Sequence, residues 1–218
     1  MEVGFEGELA RVLPADIPHR ERLIEKAARH LQMIVAANEH MNLTRITSPH
    51  EAAIKHVYDS LAPWRYFQTV GRVLDAGTGA GFPGIPLSLV LPEVHFVLSE
   101  SVGKKARFVE SVAESLDLDN VQVVCERAES IAITQHSAVI TARAMAPISR
   151  IIDLFSRPLK AGAKILLYKG PDVISELREA KWDRVRAEVL YRYDLPDNLG
   201  SRTLVELRAQ PRWMRTAS

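Results

Sequence analysis

The sequence predicts an α/β fold, a doubly wound and mostly parallel sheet that carries a helical extension at its N-terminus. Three observations predict it. From residue 71 onward, apolar runs of strand length alternate with stretches of helical period. A glycine-rich turn, LDAGTGAGFPGIP, follows the first of those runs, where a strand–helix unit reverses direction. Before residue 66 the apolar pattern has helical period alone.

Between Pro18 and Asn38, Leu23, Ile24, Ala27, Ala28, Leu31, Ile34 and Val35 recur at three- and four-residue spacing, the mark of one apolar helix face. A second helix starts after Ser48 with Pro49 in its first turn and runs through Ala53, Ile54, Val57 and Leu61. Together they define an N-terminal helical extension, residues 1–65, and leave 66–218 to the sheet domain. In that domain strands are expected at 72–77, 94–100, 121–127, 138–144 and 163–170, with helices at 84–91, 104–118, 147–157 and 172–181. The last two strands, 186–194 and 202–209, are separated only by a short turn segment, so they form a hairpin and the final strand runs antiparallel. No internal repeat or low-complexity linker interrupts this order.

With 47% hydrophobic and 25% charged residues, the 218-residue chain has the composition of an ordinary globular protein. Neither a signal peptide nor a membrane-length apolar run is seen, so the expectation is a cytoplasmic chain with no membrane partner. The formal net charge of +1 conceals an asymmetry, about +6 over residues 141–218 against about −5 over 1–140, which suits a polyanion on one side of the fold. Cys125, the single cysteine, is expected as a small buried strand residue. The seven histidines are scattered and form no metal-ligand spacing, so no metal site is expected.

The glycine turn admits two readings. Counted from Gly77 it is Gly-x-Gly-x-Gly (Gly77, Gly79, Gly81), a loop for S-adenosylmethionine; counted from Gly79 it is the dinucleotide fingerprint. The dinucleotide reading from Gly77 would place Phe82 where a third glycine must pack, and from Gly79 it requires a longer first strand. Asp75, at the strand end, would repel a pyrophosphate but suits the ammonium and sulfonium of S-adenosylmethionine. Glu100 closes the second strand, where a carboxylate accepts both ribose hydroxyls. Glu129 follows the third as an acceptor for the adenine amino group, beside the small Ala128. Three acids around one loop point to an adenosine cofactor, and Asp75 selects the methyl donor.

The runs MNLTRITSPHEAAIKHVYDSLA, LDAGTGAGFPGIPLS, ESVGKKARFVES, ERAES, ITARAMAP and LLYKG, in order from Met41 to Gly170, resemble the RsmG (GidB) family of small-subunit ribosomal RNA guanine-N7 methyltransferases. The resemblance implies a seven-stranded, Rossmann-like class I methyltransferase sheet and S-adenosylmethionine as donor. It also implies a target guanine in the 530 loop of 16S rRNA, position 527 in the usual rRNA numbering, within the 30S subunit or its precursor. A monomer is expected. By resemblance Gly77 and Phe82 line the cofactor, Ala128 and Glu129 meet the adenine, and Arg143 approaches the methionine end. Asn42, Thr44, His56, Asp59, Ser60, Arg143 and Lys169 match positions around the pocket mouth. Glu100-Ser101 stands where the family more usually has Asp-Ser.

Guanine N7 is an unprotonated lone pair, so its methylation needs alignment rather than a general base. Arg143 or Lys169, at strand ends, could donate to guanine O6 or hold the neighbouring phosphate. His56 and Asp59, three apart on a helix, share a face and are read as closing the extension over the pocket through hydrogen bonds. Asn42 and Thr44 either contact the base or cap the following turn. Tyr58, Phe82 and Tyr168 are candidate stacking surfaces, and Arg45, Lys55, Arg143, Arg150, Lys169 and Arg202 a candidate phosphate rim. A methyltransferase for a small molecule or protein, a non-catalytic adenosine-binding module and a nicotinamide oxidoreductase are the competing readings.

Overall fold

The computed structural model describes residues 4–180, 182 and 184–211. Seven strands, β1 (Arg72–Ala76), β2 (His95–Ser99), β3 (Val121–Val124), β4 (Val139–Arg143), β5 (Lys164–Lys169), β6 (Val185–Asp194) and β7 (Ser201–Ala209), form one sheet in the order β3-β2-β1-β4-β5-β7-β6. The first five are parallel; β7 runs antiparallel between β5 and β6. The central strands are buried along their length, Val73 and Leu74 in β1 and Val139, Ile140 and Ala142 in β4, as a sheet covered on both faces requires.

One face carries α1 (Phe5–Val12), α2 (Arg20–Met41), α5 (Gly84–Val90) and α6 (Gly103–Ser115), with α2 packed on α5 and α6. Leu9, Leu23, Leu31, Ile54 and Phe67 from the N-terminal segment share a continuous core there with Ile85, Phe96, Phe108 and Leu204. The opposite face is covered by α7 (Ala128–Ile131), α8 (Ile148–Leu154), α9 (Ser156–Lys160) and α10 (Val173–Glu179), with Ile148, Ile151, Phe155 and Leu159 over Leu74, Ile140 and Leu167.

Four details depart from the sequence expectation. Helix α1, which buries Leu9 and Val12, was not anticipated from the apolar spacing. In α2 the buried stripe takes in His30 at 0% exposure, whereas Val35 lies outside it at 37%. The second helix starts at Pro49 with the Ser48 hydroxyl accepting from the Glu51 amide at 3.4 Å, but only α3 (Pro49–Ala52) and α4 (Asp59–Leu61) are α-helical. Ala53–Tyr58 between them is a π-helix, a wider turn found often at functional sites. Cys125, expected to be buried, is exposed, because β3 is an edge strand that ends at Val124 and the chain leaves the sheet there.

Candidate functional site

β1 ends at Ala76, so Gly77 is the first residue past the strand, as the Gly-x-Gly-x-Gly reading requires. Gly77, Gly79 and Gly81 have φ of 69°, 62° and 99°, a region that side chains disfavour. Gly77 and Thr78 donate their amides to the Ser99 carbonyl at the tip of β2, each at 3.0 Å. Asp75, fully buried, accepts from the Thr78 hydroxyl at 2.7 Å and the Gly84 amide at 2.9 Å, tying the loop at both ends through Oδ2. Its Oδ1 has no partner among the described residues. Burial pushes this carboxyl up to about 6, against the opposing pull of its two hydrogen bonds.

The strand pairing sets the other acids beside this loop. Ala76 is level with Ser99 and Ser99 with Val124, so Glu100 and the start of α7 follow at the same end of the sheet. Glu100 is 8% exposed, and its Oε1 accepts the Val102 amide at 2.8 Å. Ala128 is buried as the first residue of α7, with Glu129 half-buried behind it.

On the other side of β1 lies a cavity of about 680 Å³ beyond the carboxyl ends of β4 and β5. Lys55, His56, Asp59, Arg143, Lys169 and Arg202 line it, together with the segment 144–147. Ala144 in that segment holds φ 51°, a strained conformation for a residue with a Cβ. Cavity and glycine loop adjoin through Met145, whose Cγ is 3.7 Å from where a Cβ on Gly77 would stand.

Asp59 is the hub of the cavity wall. At 3% exposure it receives Arg143 Nη1 at 3.2 Å and faces Arg202 Nε at 3.6 Å on Oδ2, and accepts the Tyr193 hydroxyl at 2.8 Å on Oδ1. Burial and the Asp59 carboxylate hold that phenol well above its ordinary value, so it stays a donor. Arg143 also donates to the Lys55 carbonyl at 2.9 Å, one of the backbone groups in the widened π-turn. The Tyr168 hydroxyl donates to the Ser60 carbonyl at 2.8 Å. The expected His56–Asp59 face is thus split by the π-turn, and the two side chains turn to different partners.

His56 Nε2 lies 3.1 Å from the Thr44 hydroxyl, which also accepts the Ile46 amide at 3.0 Å. Thr44 therefore braces the turn after α2. Asn42 stands exposed as the C-cap of α2 at φ 50°, a conformation asparagine tolerates, which favours the capping alternative for it. Phe82 does not line the cavity. The residue is 5% exposed, with the His30 and His56 imidazoles stacked on its ring at centroid distances of 4.7 Å each and the Arg143 guanidinium 5.3 Å from the ring centroid. His30 Nε2 is 2.7 Å from the Ala80 carbonyl, which can only accept, so Nε2 carries the proton. Burial pushes His30 down to about 4. Burial and then the nearby Arg143 push His56 down to about 3, so both rings are neutral at neutral pH.

Lys169 donates to the Ala146 carbonyl at 2.9 Å and to Glu176 Oε2 at 2.7 Å, and the same oxygen accepts the Ile148 amide at 2.8 Å. Of the expected basic rim, Lys55, Arg143, Lys169 and Arg202 reach the cavity, whereas Arg45 and Arg150 are exposed away from its lining; of the candidate stacking surfaces, Tyr58 is half-buried and also outside the lining. Sequence reasoning missed His30, Tyr193 and Glu176. His30 alone had a local signal, since it continues the apolar stripe from Ala27 toward Ile34.

The profile of the family described as GidB, rRNA small subunit methyltransferase G, matches residues 23–191. The chain is 56% identical over 208 residues to the Ribosomal RNA small subunit methyltransferase G of Solibacter usitatus (strain Ellin6076), covering 94% of this chain and 99% of that one. It is 35% identical to the protein of the same name from Carboxydothermus hydrogenoformans, covering 84% and 81%. Among solved structures, MtNAS in complex with MTA and tNA superposes with a TM-score of 0.59 at 16% identity over 95% of this chain and 86% of that one. An O-methyltransferase from Bacillus cereus in complex with SAH gives 0.56 at 19% identity over 84% and 91%. Both structural likenesses concern the fold.

Proposed function

The chain belongs to the rRNA small subunit methyltransferase G family, and on that premise we infer that it transfers a methyl group from S-adenosylmethionine to N7 of a guanine in 16S rRNA, position 527 in the 530 loop. The observation that carries this reading is the junction at Met145, where a left-handed glycine loop meets a cavity lined by Lys55, Arg143, Lys169 and Arg202. One side suits an adenosine ligand and the other a phosphate-bearing base.

The loop residues fit the donor. Among the described residues a Cβ at Gly79 would meet nothing within 4 Å, so open space lies against that backbone, and Asp75 Oδ1 is a buried acceptor with no partner, suited to an ammonium. In this reading Asp75, Gly77, Gly79 and Gly81 hold the amino-acid end, Glu100 the ribose hydroxyls, and Ala128 and Glu129 the adenine. Phe82 acts from the seam, where it fixes the loop. When bound, S-adenosylmethionine supplies a methyl group on a cationic sulfur that leaves as a neutral thioether.

The chain's own contribution is alignment and charge. Arg143, held on Asp59 and the π-turn, sets the wall against which the base is positioned, and Lys169 offers a donor to it. Lys55 and Arg202 face the adjoining phosphates. No residue needs to remove a proton from N7, and His56, neutral and braced by Thr44, positions the extension rather than acting as a base. Asn42 shapes the turn that carries Thr44. Residues 1–65 close the site, residues 66–218 bind the donor, and the enzyme works as a monomer on the 30S subunit or its precursor in the cytoplasm.

The test is methyl transfer from labelled S-adenosylmethionine to 30S subunits from a strain lacking this modification, with the product nucleosides separated. Label in 7-methylguanosine of the 530 loop is expected, falling steeply as salt rises. Donor binding with no label in RNA would sink the reading.

A further inference from the structure

We propose that Glu176 is the acceptor by which this enzyme recognises guanine, and that it holds the base as the base becomes cationic. The inference rests on the guanine-N7 reading above.

Among the described residues two acids line the cavity, Asp59 and Glu176. Both oxygens of Asp59 are taken, Oδ1 by Tyr193 and Oδ2 by Arg143 and Arg202. Glu176 differs. Its Oε2 accepts Lys169 Nζ at 2.7 Å and the Ile148 amide at 2.8 Å, which fixes the carboxylate, and its Oε1 takes no hydrogen bond among the described residues. The side chain is 25% exposed and lines the cavity, which leaves Oε1 as its oxygen for a ligand. Beside it, Lys169 gives one proton to Ala146 and one to Glu176, and keeps a third. The cavity wall therefore presents a donor next to an acceptor.

Guanine carries the matching pair, with O6 to take the lysine proton and the adjacent N1–H to meet Oε1. Adenine has the reverse order, a donor at N6 and an acceptor at N1. It can satisfy the wall only with its ring turned over, which carries its N7 to the opposite side.

The same contact favours the reaction. The N7 lone pair forms the new N–C bond as the S–C bond breaks and its electron pair stays on sulfur, so the positive charge passes from sulfur to the purine. The charged purine is a stronger N1–H donor, and its hydrogen bond to the carboxylate strengthens as the charge arrives. An interaction that is stronger in the transition state than in the ground state raises turnover.

The test uses 30S subunits reconstituted with ligated 16S rRNA that carries guanosine or 1-methylguanosine at the target, the latter lacking N1–H. Wild-type enzyme is expected to methylate the guanosine substrate and to fall about 100-fold on the other, the scale of losing one charge-stabilising contact. Glu176→Gln is expected to lower turnover on guanosine about 100-fold at saturating donor, with the donor's Kd by calorimetry unchanged. Glu176→Ala, with both the acceptor and its bulk removed, is expected to treat the two substrates within about 3-fold. Glutamine keeps an oxygen for Ile148 and Lys169, so a merely structural Glu176 predicts wild-type turnover for Glu176→Gln. That result would overturn the proposal, as would undiminished discrimination by Glu176→Ala; should the alanine variant not fold, the glutamine variant decides alone. Absence of 7-methylguanosine with wild-type enzyme on the guanosine substrate would instead defeat the guanine-N7 reading.

Discussion

Lowering the pH from 7 to 5 should weaken this protein through the two histidines stacked on Phe82. His30 is pushed down to about 4 and His56 to about 3, whereas a histidine of the unfolded chain titrates near 6.5. Between those values the unfolded chain binds more protons than the native one. Their contribution is therefore complete above about 6.5 and is lost as the pH falls, at about 1.4 kcal/mol per pH unit for each ring. By pH 5 each costs about 2 kcal/mol. Asp75 acts in the other direction. Its native value of about 6 lies above the ordinary 3.8, so the folded state holds the extra proton and regains about 1.4 kcal/mol as the pH falls from 6 to 5. Two rings outweigh one carboxyl, and the net loss is about 3 kcal/mol, or about 6–12 °C in Tm for a chain of this size. Thermal unfolding by circular dichroism at pH 7 and pH 5 measures it for wild type, His30→Gln and His56→Gln. Each glutamine variant should recover about 4–8 °C of the acid shift, since glutamine does not titrate. The same acid shift in wild type and both variants would refute the assignment of these rings as buried and neutral.

Three further outcomes follow from the packing. Asp59→Ala removes the carboxylate that balances Arg143 and Arg202 and takes the Tyr193 hydroxyl, leaving backbone carbonyls to hold Arg143 and Tyr193, and should cost about 3–5 kcal/mol in urea unfolding; a loss under about 1 kcal/mol would contradict the hub geometry. In Gly84→Ala the new Cβ would stand 2.1 Å from Leu98 Cδ2 and 2.8 Å from Asp75 Oδ2, so about 1–3 kcal/mol of stability should go, together with donor affinity measured by calorimetry. Unchanged donor affinity would show that Asp75 and the loop are not coupled. Arg143→Ala should lower methyl transfer at least about 100-fold and also lower Tm, because the same guanidinium ties Lys55 and Asp59 to β4. Near wild-type turnover would remove Arg143 from the site.

The sequence by itself determined what depends on neighbours along the chain. Apolar period separated β1 and β2 from α2 and α6, Ser48-Pro49 marked a helix start, and the glycines at 77, 79 and 81 marked a backbone that only a left-handed turn satisfies. Motif spacing carried the family resemblance, because a loop and its flanking strand are one local unit. Tertiary structure alone decided which distant groups meet. His30 and Ala80 are 50 residues apart, and Tyr193 and Asp59 134 apart, so no local pattern links them. Cys125 is exposed because strand order makes β3 an edge, and strand order is a property of the whole sheet. Glu176 sits in an unremarkable amphipathic stretch, and only the docking of α10 beside the end of β5 brings its carboxylate to Lys169 and the cavity. Backbone conformation is set by sterics within a few residues, whereas side-chain partnership is set by how the layers pack, and the candidate site is made of partnerships.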